Sequence, residues 1–162
     1  MNIRTIIIIF LITQGCGTKL TSNLKSEITK IDEYVEKIKT TENLTESITE
    51  GTVEYGENFK EIGGFEYYEY YSPENGKLHR VEYFMNTDEN LIENFYYKND
   101  ELIFAESVVN FTNGESKKTK IYLKNEKLIY ELNSDYVNSK DLIKSGTKYL
   151  TEFKTEKIKA SL

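Results

Sequence analysis

The stretch Tyr96-Tyr97-Lys98-Asn99-Asp100-Glu101-Leu102-Ile103 decides the fold, because the chain writes a version of it three times. An earlier copy reads Tyr70-Tyr71-Ser72-Pro73-Glu74-Asn75-Gly76-Lys77-Leu78. A later one reads Tyr122-Leu123-Lys124-Asn125-Glu126-Lys127-Leu128-Ile129. Asn75, Asn99 and Asn125 stand 24 and 26 residues apart, each with a Leu three positions on. Asn, Gly and Asp accept positive φ at little cost, and the flanking aromatic and aliphatic residues favour strands. Each copy therefore predicts a tight β-hairpin. Looser turn-forming clusters at Asn86-Thr87-Asp88-Glu89-Asn90 and Thr112-Asn113-Gly114-Glu115 reverse the chain between copies. The period is two strands plus two turns. It predicts an antiparallel meander of about six strands over residues 52–132.

Outward from the meander the periodicity changes. Leu24, Ile28, Ile31, Val35 and Ile38 recur at spacings of 4, 3, 4 and 3, which is one apolar stripe on a helix. Ser22 or Asn23 can cap its start. After the meander, Asn138 or Ser139 caps a second helix whose Leu142, Ile143, Tyr149, Leu150 and Phe153 share a face with Gly146. Gly costs a helix about 1 kcal/mol relative to Ala, so Gly146 marks a close approach to the sheet. The expected fold class is α+β: a single domain over residues 23–162, an antiparallel meander with both helices packed on one face. The other face is then open to water or to a partner.

Residues 1–15 have a different character. Arg4 precedes an apolar run from Ile6 to Ile12, and Gly15-Cys16 follows. Seven apolar residues reach about 10 Å as a helix, against a hydrocarbon core of about 30 Å, so this run is no membrane span. A positive start, a short apolar core and a small residue before the break form a secretory signal. The only Cys of the chain follows directly. Gly15-Cys16 resembles the cleavage site of a bacterial lipoprotein signal. The resemblance implies that residues 1–15 are removed, that Cys16 becomes the first mature residue and carries the lipid anchor (palmitate), and that residues 16–22 form a tether. An ordinary signal peptide is the alternative. The resemblance extends to small lipoproteins of the Bacteroidota type. The short Gly17-Thr18-Lys19 start lacks an acidic run, which favours a periplasm-facing anchor in the cell envelope over surface display. The Tyr-Tyr-x-Asn-Gly-Lys-Leu stretch also resembles MORN-type and antitoxin-like repeats. Their regularly placed glycines are missing from the second and third copies, and no function is carried over.

Composition closes several routes. The 162 residues hold 21 Lys and Arg against 27 Asp and Glu, a net charge of −6 that becomes −7 once residues 1–15 are gone. That balance argues against a nucleic-acid partner. One Cys excludes a disulfide framework and a Cys-based zinc site. One His, His79, is read as a surface or strand-edge residue. No Gly-x-Ser-x-Gly accompanies it, and no thiol is left for catalysis once Cys16 is lipidated. The acid-rich turns at residues 88–90 and 99–101 lack the alternating acids and distal Glu of a calcium loop. No cofactor, metal or catalytic residue is expected. Lys117, Lys118, Lys120, Lys124 and Lys127 form a local basic patch, read as lysines that blunt a strand edge.

The Tyr and Phe content is what remains to bind with. Aromatics fall on both alternating faces of the strands, and Tyr68, Tyr70, Phe84, Phe95 and Tyr97 are the candidate binding face. Cross-strand aromatic pairing that merely stabilises the sheet is the competing reading. Two functions follow. One is a non-enzymatic envelope lipoprotein that meets an envelope protein through this face, as an inhibitor or accessory. The other is a carrier with an apolar cavity between sheet and helices, lined by groups such as Ile121, Leu128 and Phe153.

Overall fold

The computed structural model describes residues 21–56, 59–132 and 136–160. The elements run α1 (Ser22–Lys39), β1 (Thr45–Tyr55), β2 (Lys60–Tyr71), β3 (Leu78–Asn86), β4 (Asn90–Lys98), β5 (Glu101–Asn110), β6 (Ser116–Lys124), β7 (Lys127–Leu132) and α2 (Ser139–Ala160). The seven strands form one antiparallel sheet in sequence order, so the meander has one strand more than expected. The extra strand is β1. Its side chains are largely exposed, and without an apolar stripe it gives a weak strand signal.

The three repeats are hairpin tips. Asn99 and Asp100 carry φ of 54° and 63°, and Asn125 and Glu126 carry 51° and 61°. Two consecutive positive φ values in a two-residue loop match the right-handed twist of the flanking strands. The first copy spends more residues on its turn and uses Gly76 at φ 66°. Each hairpin then carries a bulge at the same place. Tyr70 pairs Arg80 while Tyr71 pairs Leu78, which leaves His79 as the extra residue. Tyr96 pairs Phe104 while Tyr97 pairs Leu102, leaving Ile103. Tyr122 pairs Tyr130 while Leu123 pairs Leu128, leaving Ile129.

The bulge changes which side chains share a face. In a regular strand residues i and i+2 point the same way. The inserted residue sends Leu102 and Phe104 to opposite faces, beneath Tyr97 and Tyr96 respectively. Both faces of the sheet are therefore apolar, and each needs a cover. Helix α2 covers one through Leu142, Leu150 and Phe153 against Val81, Phe95, Tyr97, Leu102, Ala105, Ile121 and Leu123. Helix α1 covers the other through Ile31, Val35 and Ile38 against Tyr96, Phe104 and Tyr122. The expectation that both helices share one face is thereby corrected: the molecule has three layers, helix, sheet, helix.

Tyrosine hydroxyls fix both helices. On the α1 side, Tyr34 Oη donates to the Tyr97 carbonyl at 2.6 Å and Tyr122 Oη donates to Asp32 at 3.0 Å. Tyr34 Oη has a single proton and spends it on that carbonyl, so it accepts from His79 Nδ1–H at 3.0 Å. His79 is thus half-buried under α1 rather than free at the surface, and burial lowers its pKa. On the α2 side, Tyr97 Oη donates to the Gly146 carbonyl at 2.9 Å. Thr21 caps α1, one residue before the expected caps, by accepting from the Leu24 amide at 3.3 Å. Asn138 caps α2 by accepting from the Lys140 amide at 2.8 Å.

Gly146 is the tightest point of this docking. A Cβ added there would stand 2.8 Å from side-chain carbons of both Leu102 and Phe95. Gly146→Ala gains helix propensity of about 1 kcal/mol and meets an overpacking cost of about 1–3 kcal/mol. Chemical denaturation is expected to show a net loss of stability. Tyr97→Phe is expected to lose about 1 kcal/mol or more, because the Gly146 carbonyl is left without its buried donor.

Candidate functional site

The expected binding face does not stay together. Phe95 and Tyr97 are 0% exposed and lie in the core under α2. Their membership of a binding face is corrected: they stand on the side of the sheet that α2 covers. Tyr68, Tyr70 and Phe84 lie on the opposite face, half-exposed, outside the aromatic cluster that α1 buries. Tyr68 and Tyr70 stack at 6.4 Å with an interplanar angle of 11°. Tyr68 Oη donates to Glu66 at 2.6 Å. Arg80 lies 5.1 Å from the Tyr70 ring centre and 5.7 Å from that of Tyr96. It donates to Asn94 at 2.7 and 3.2 Å and is ion-paired with Glu82. Much of this aromatic surface is therefore engaged within the sheet. The lysines of β6 are also engaged, Lys118 and Lys120 with Glu106 and Lys124 with Glu27. They lie one strand in from the edge, which is β7.

A broad concavity lies elsewhere, between α2 and strands β1 to β4. It is a cleft of about 670 Å³. Its α2 wall is Ser145, Lys148, Tyr149, Glu152 and Glu156. Its floor takes alternate residues of the strands: Ser47 and Thr49 from β1, Phe65, Tyr67 and Glu69 from β2, Tyr83 and Met85 from β3, and Leu91 and Glu93 from β4. These residues line up because the ladder pairs Thr49 with Tyr67, Tyr67 with Tyr83 and Tyr83 with Glu93. Glu93 in turn pairs with Ser107 of β5. A polar and aromatic row thus runs across the sheet next to the apolar row Val81-Phe95-Ala105-Ile121. A second concavity of about 550 Å³, at the β3–β4 turn, shares Met85, Leu91 and Glu93. Glu93 stands between the two.

The tyrosines form a ring wall. Tyr149 sits 5.2 Å from Tyr67 and 5.3 Å from Phe95, and Tyr83 sits 6.2 Å from Phe65. Burial raises the pKa of Tyr67, Tyr83 and Tyr149, so all three are neutral at physiological pH. Two acids on the floor are perturbed in the same direction. Glu69 is 9% exposed, and burial raises its pKa against the hydrogen bond that it accepts from Tyr67 Oη at 3.0 Å. Burial alone pushes Glu93 up to about 7. Among the described residues no hydrogen bond or ion pair reaches the Glu93 carboxylate. Beside it, Ser107 is 0% exposed and its Oγ has no partner.

Perturbed acids in a cleft are the kind of group that functional sites use. The single imidazole lies under the other helix, away from this cleft. No group of three or more His, Cys, Asp and Glu among the described residues could hold a metal ion. What the cleft offers is a volume, aromatic walls and unpaired negative charge. The cavity expected around Ile121, Leu128 and Phe153 is corrected: Ile121 and Phe153 are packed in the core, and Leu128 is 42% exposed. The cleft lies over β1 to β4, whereas Ile121 and Leu128 belong to β6 and β7. A cue lay in the row itself, since Thr49, Tyr67, Tyr83, Glu93 and Ser107 are polar or aromatic beside the apolar row Val81-Phe95-Ala105-Ile121. Without register that row cannot be assembled from the sequence. Cys16, residues 1–15 and most of the tether fall outside the described residues. Among the described residues no helix is long and apolar enough to cross a membrane.

Glu93 makes stability depend on pH. Below its ordinary pKa of 4.5 it is protonated in both folded and unfolded chains. Between there and about 7 the unfolded chain gives up the proton first, so stability falls as pH rises through that window. Glu93→Gln is expected to remove that fall. It leaves stability near the wild-type value at pH 4 and raises it by up to about 3 kcal/mol at pH 8. Urea unfolding at the two pH values measures the difference.

Neither a protein-family model, nor a curated protein, nor a solved structure matches the chain, so the functional reading rests on this geometry.

Proposed function

We propose that this chain is a non-enzymatic ligand-binding module of the cell envelope, lipid-anchored at Cys16, that takes a small amphipathic ligand into the cleft between α2 and β1 to β4. The observation that carries the reading is the cleft itself. Its volume of about 670 Å³ is in the range of small-molecule sites, and aromatic rings and a few polar groups converge in it. The anchor rests on the apolar run Ile6 to Ile12 followed by Gly15 and the only Cys of the chain. A periplasm-facing position agrees with the short, non-acidic tether.

Thr49 lies at the exposed edge of the cleft on an edge strand, where a larger side chain fills the mouth without touching the core. Nile red is expected to gain fluorescence on binding the wild-type protein. Thr49→Trp is expected to weaken that binding about tenfold, equivalent to about 1.4 kcal/mol, with an unchanged thermal midpoint. Binding of the dye that ignores both Thr49→Trp and Ser145→Trp would overturn the reading. For the anchor, metabolic labelling with a clickable palmitate analogue is expected to mark the wild-type chain and not Cys16→Ala. An unlabelled wild type would leave an ordinary secreted protein.

A second reading, docking of an envelope protein, is favoured by one observation. Tyr68, Tyr70 and Phe84 remain half-exposed on the face of α1, with Ile48 50% exposed on the adjacent edge strand. An inhibitor or accessory role would use this surface.

A further inference from the structure

The composition of the cleft narrows its ligand, and the narrowing rests on the ligand-binding reading above. We infer that the cleft selects a protonated organic amine carried on an apolar stem, with the ammonium at Glu93 and the stem lying along Tyr67, Tyr83 and Tyr149.

Three features of the cleft point to this chemistry. The first is charge. Glu69, Glu93, Glu152 and Glu156 line the cleft against a single cation, Lys148. Lys148 Nζ lies 3.7 Å from Glu152 and is engaged at the outer wall. Lys157 of α2 acts on Glu69 from outside the cleft, and no cation among the described residues pairs with Glu93. A buried carboxylate without a counter-ion is costly, and an incoming ammonium removes that cost while an anion would add to it. The second is an unpartnered carboxylate. Glu93 lines both concavities, and among the described residues it makes no hydrogen bond or ion pair; its ladder partner Ser107 is buried behind it and lines neither. An ammonium has three donors to offer to such a carboxylate. The third is the wall. Neutral tyrosine rings attract a cation through their faces. They also cover an apolar stem. Phe65, Met85 and Leu91 extend that apolar surface towards the β3–β4 turn.

The pH dependence is part of the inference. Glu93 faces Tyr83 from β3, Ser107 from β5 and Tyr149 from α2, while Lys148 and Glu152 of α2, paired with each other, line the same cleft. Tyr67 and Glu69 of β2 lie along the same floor, and Asp88, Glu89 and Asp141 flank the adjoining concavity. The Glu93 carboxyl titrates near 7 when the cleft is empty. A cation binds its ionised form, so affinity rises with pH and levels off above 7, about tenfold tighter at pH 8 than at pH 6.

The test is a titration of isotope-labelled full-length protein with 4-phenylbutylamine, 4-phenylbutanol and 4-phenylbutanoate, followed by amide chemical shifts. The amine is expected to bind tightest, to move the amides of Glu93 and Ser107, and to gain about tenfold between pH 6 and 8. Glu93→Gln should abolish that gain, while Glu69→Gln keeps it. Equal binding of amine and alcohol, or an amine shift map that avoids Glu93 and Ser107, would overturn the cation inference and leave the cleft reading standing. Failure of all three, together with failure of Nile red, would overturn both. A capped Phe-Lys-Phe tripeptide run alongside separates two sources of the same chemistry. Binding as tight as that of the free amine assigns the ammonium to a lysine side chain of a partner, and weaker binding assigns it to a free small molecule.

Discussion

The structure depends on one local device, the bulge opposite each Tyr-Tyr or Tyr-Leu pair. A strand of period two can bury only one of two neighbouring tyrosines. By inserting His79, Ile103 and Ile129, the three hairpins let Tyr70-Tyr71, Tyr96-Tyr97 and Tyr122-Leu123 each find a partner on both faces. The sheet then has no wet side at its centre. Each face must be covered, and the two helices of the described residues are divided between them. Tyr34, Tyr97 and Tyr122 complete the arrangement by spending their hydroxyls on the helices and on the strand between them.

The cleft is a consequence of that division. One helix cannot cover the α2 face of seven strands. Helix α2 is drawn to β5 by the Gly146 contact with Leu102 and Phe95, and packs along the apolar row from Val81 to Ile121. The row beside it, from Thr49 to Ser107, is only partly roofed. There the roof is Tyr149, whose ring meets Tyr67 and Phe95. Glu93 is thus desolvated without being paired. A carboxyl in this condition destabilises the empty protein at neutral pH and becomes useful only when something cationic arrives. The cost to the fold and the proposed selectivity have the same origin.

Much of the architecture was legible. The repeated Asn tips, the two amphipathic stripes and the significance of Gly146 could all be read from spacing, because turn chemistry and helical periodicity are local. The helix placement was not legible. It turns on whether Leu102 and Phe104 share a face, and a single bulge reverses the answer. Only the end of β1, from Thr52, was legible, for a related reason: an exposed edge strand rich in Glu and Thr lacks the alternation that betrays a half-buried one. Of the proposed aromatic face, Tyr68, Tyr70 and Phe84 stayed together, whereas Phe95 and Tyr97 went to the core. The cleft was the least legible feature, since Glu93 is one acid among 27 until the register sets it beside Ser107 and under Tyr149.

The account stands most directly on the state of one carboxyl. Carbon-13 chemical shifts of the glutamate side chains, followed from pH 3 to pH 9 in the ligand-free protein, report it without reference to any ligand. The account predicts that Glu93 titrates near 7, well above the exposed glutamates of the same chain. A Glu93 that titrates in the ordinary carboxylate range, near 4.5, would contradict it. Such a result would mean that water or an unrecognised partner already satisfies the floor of the cleft.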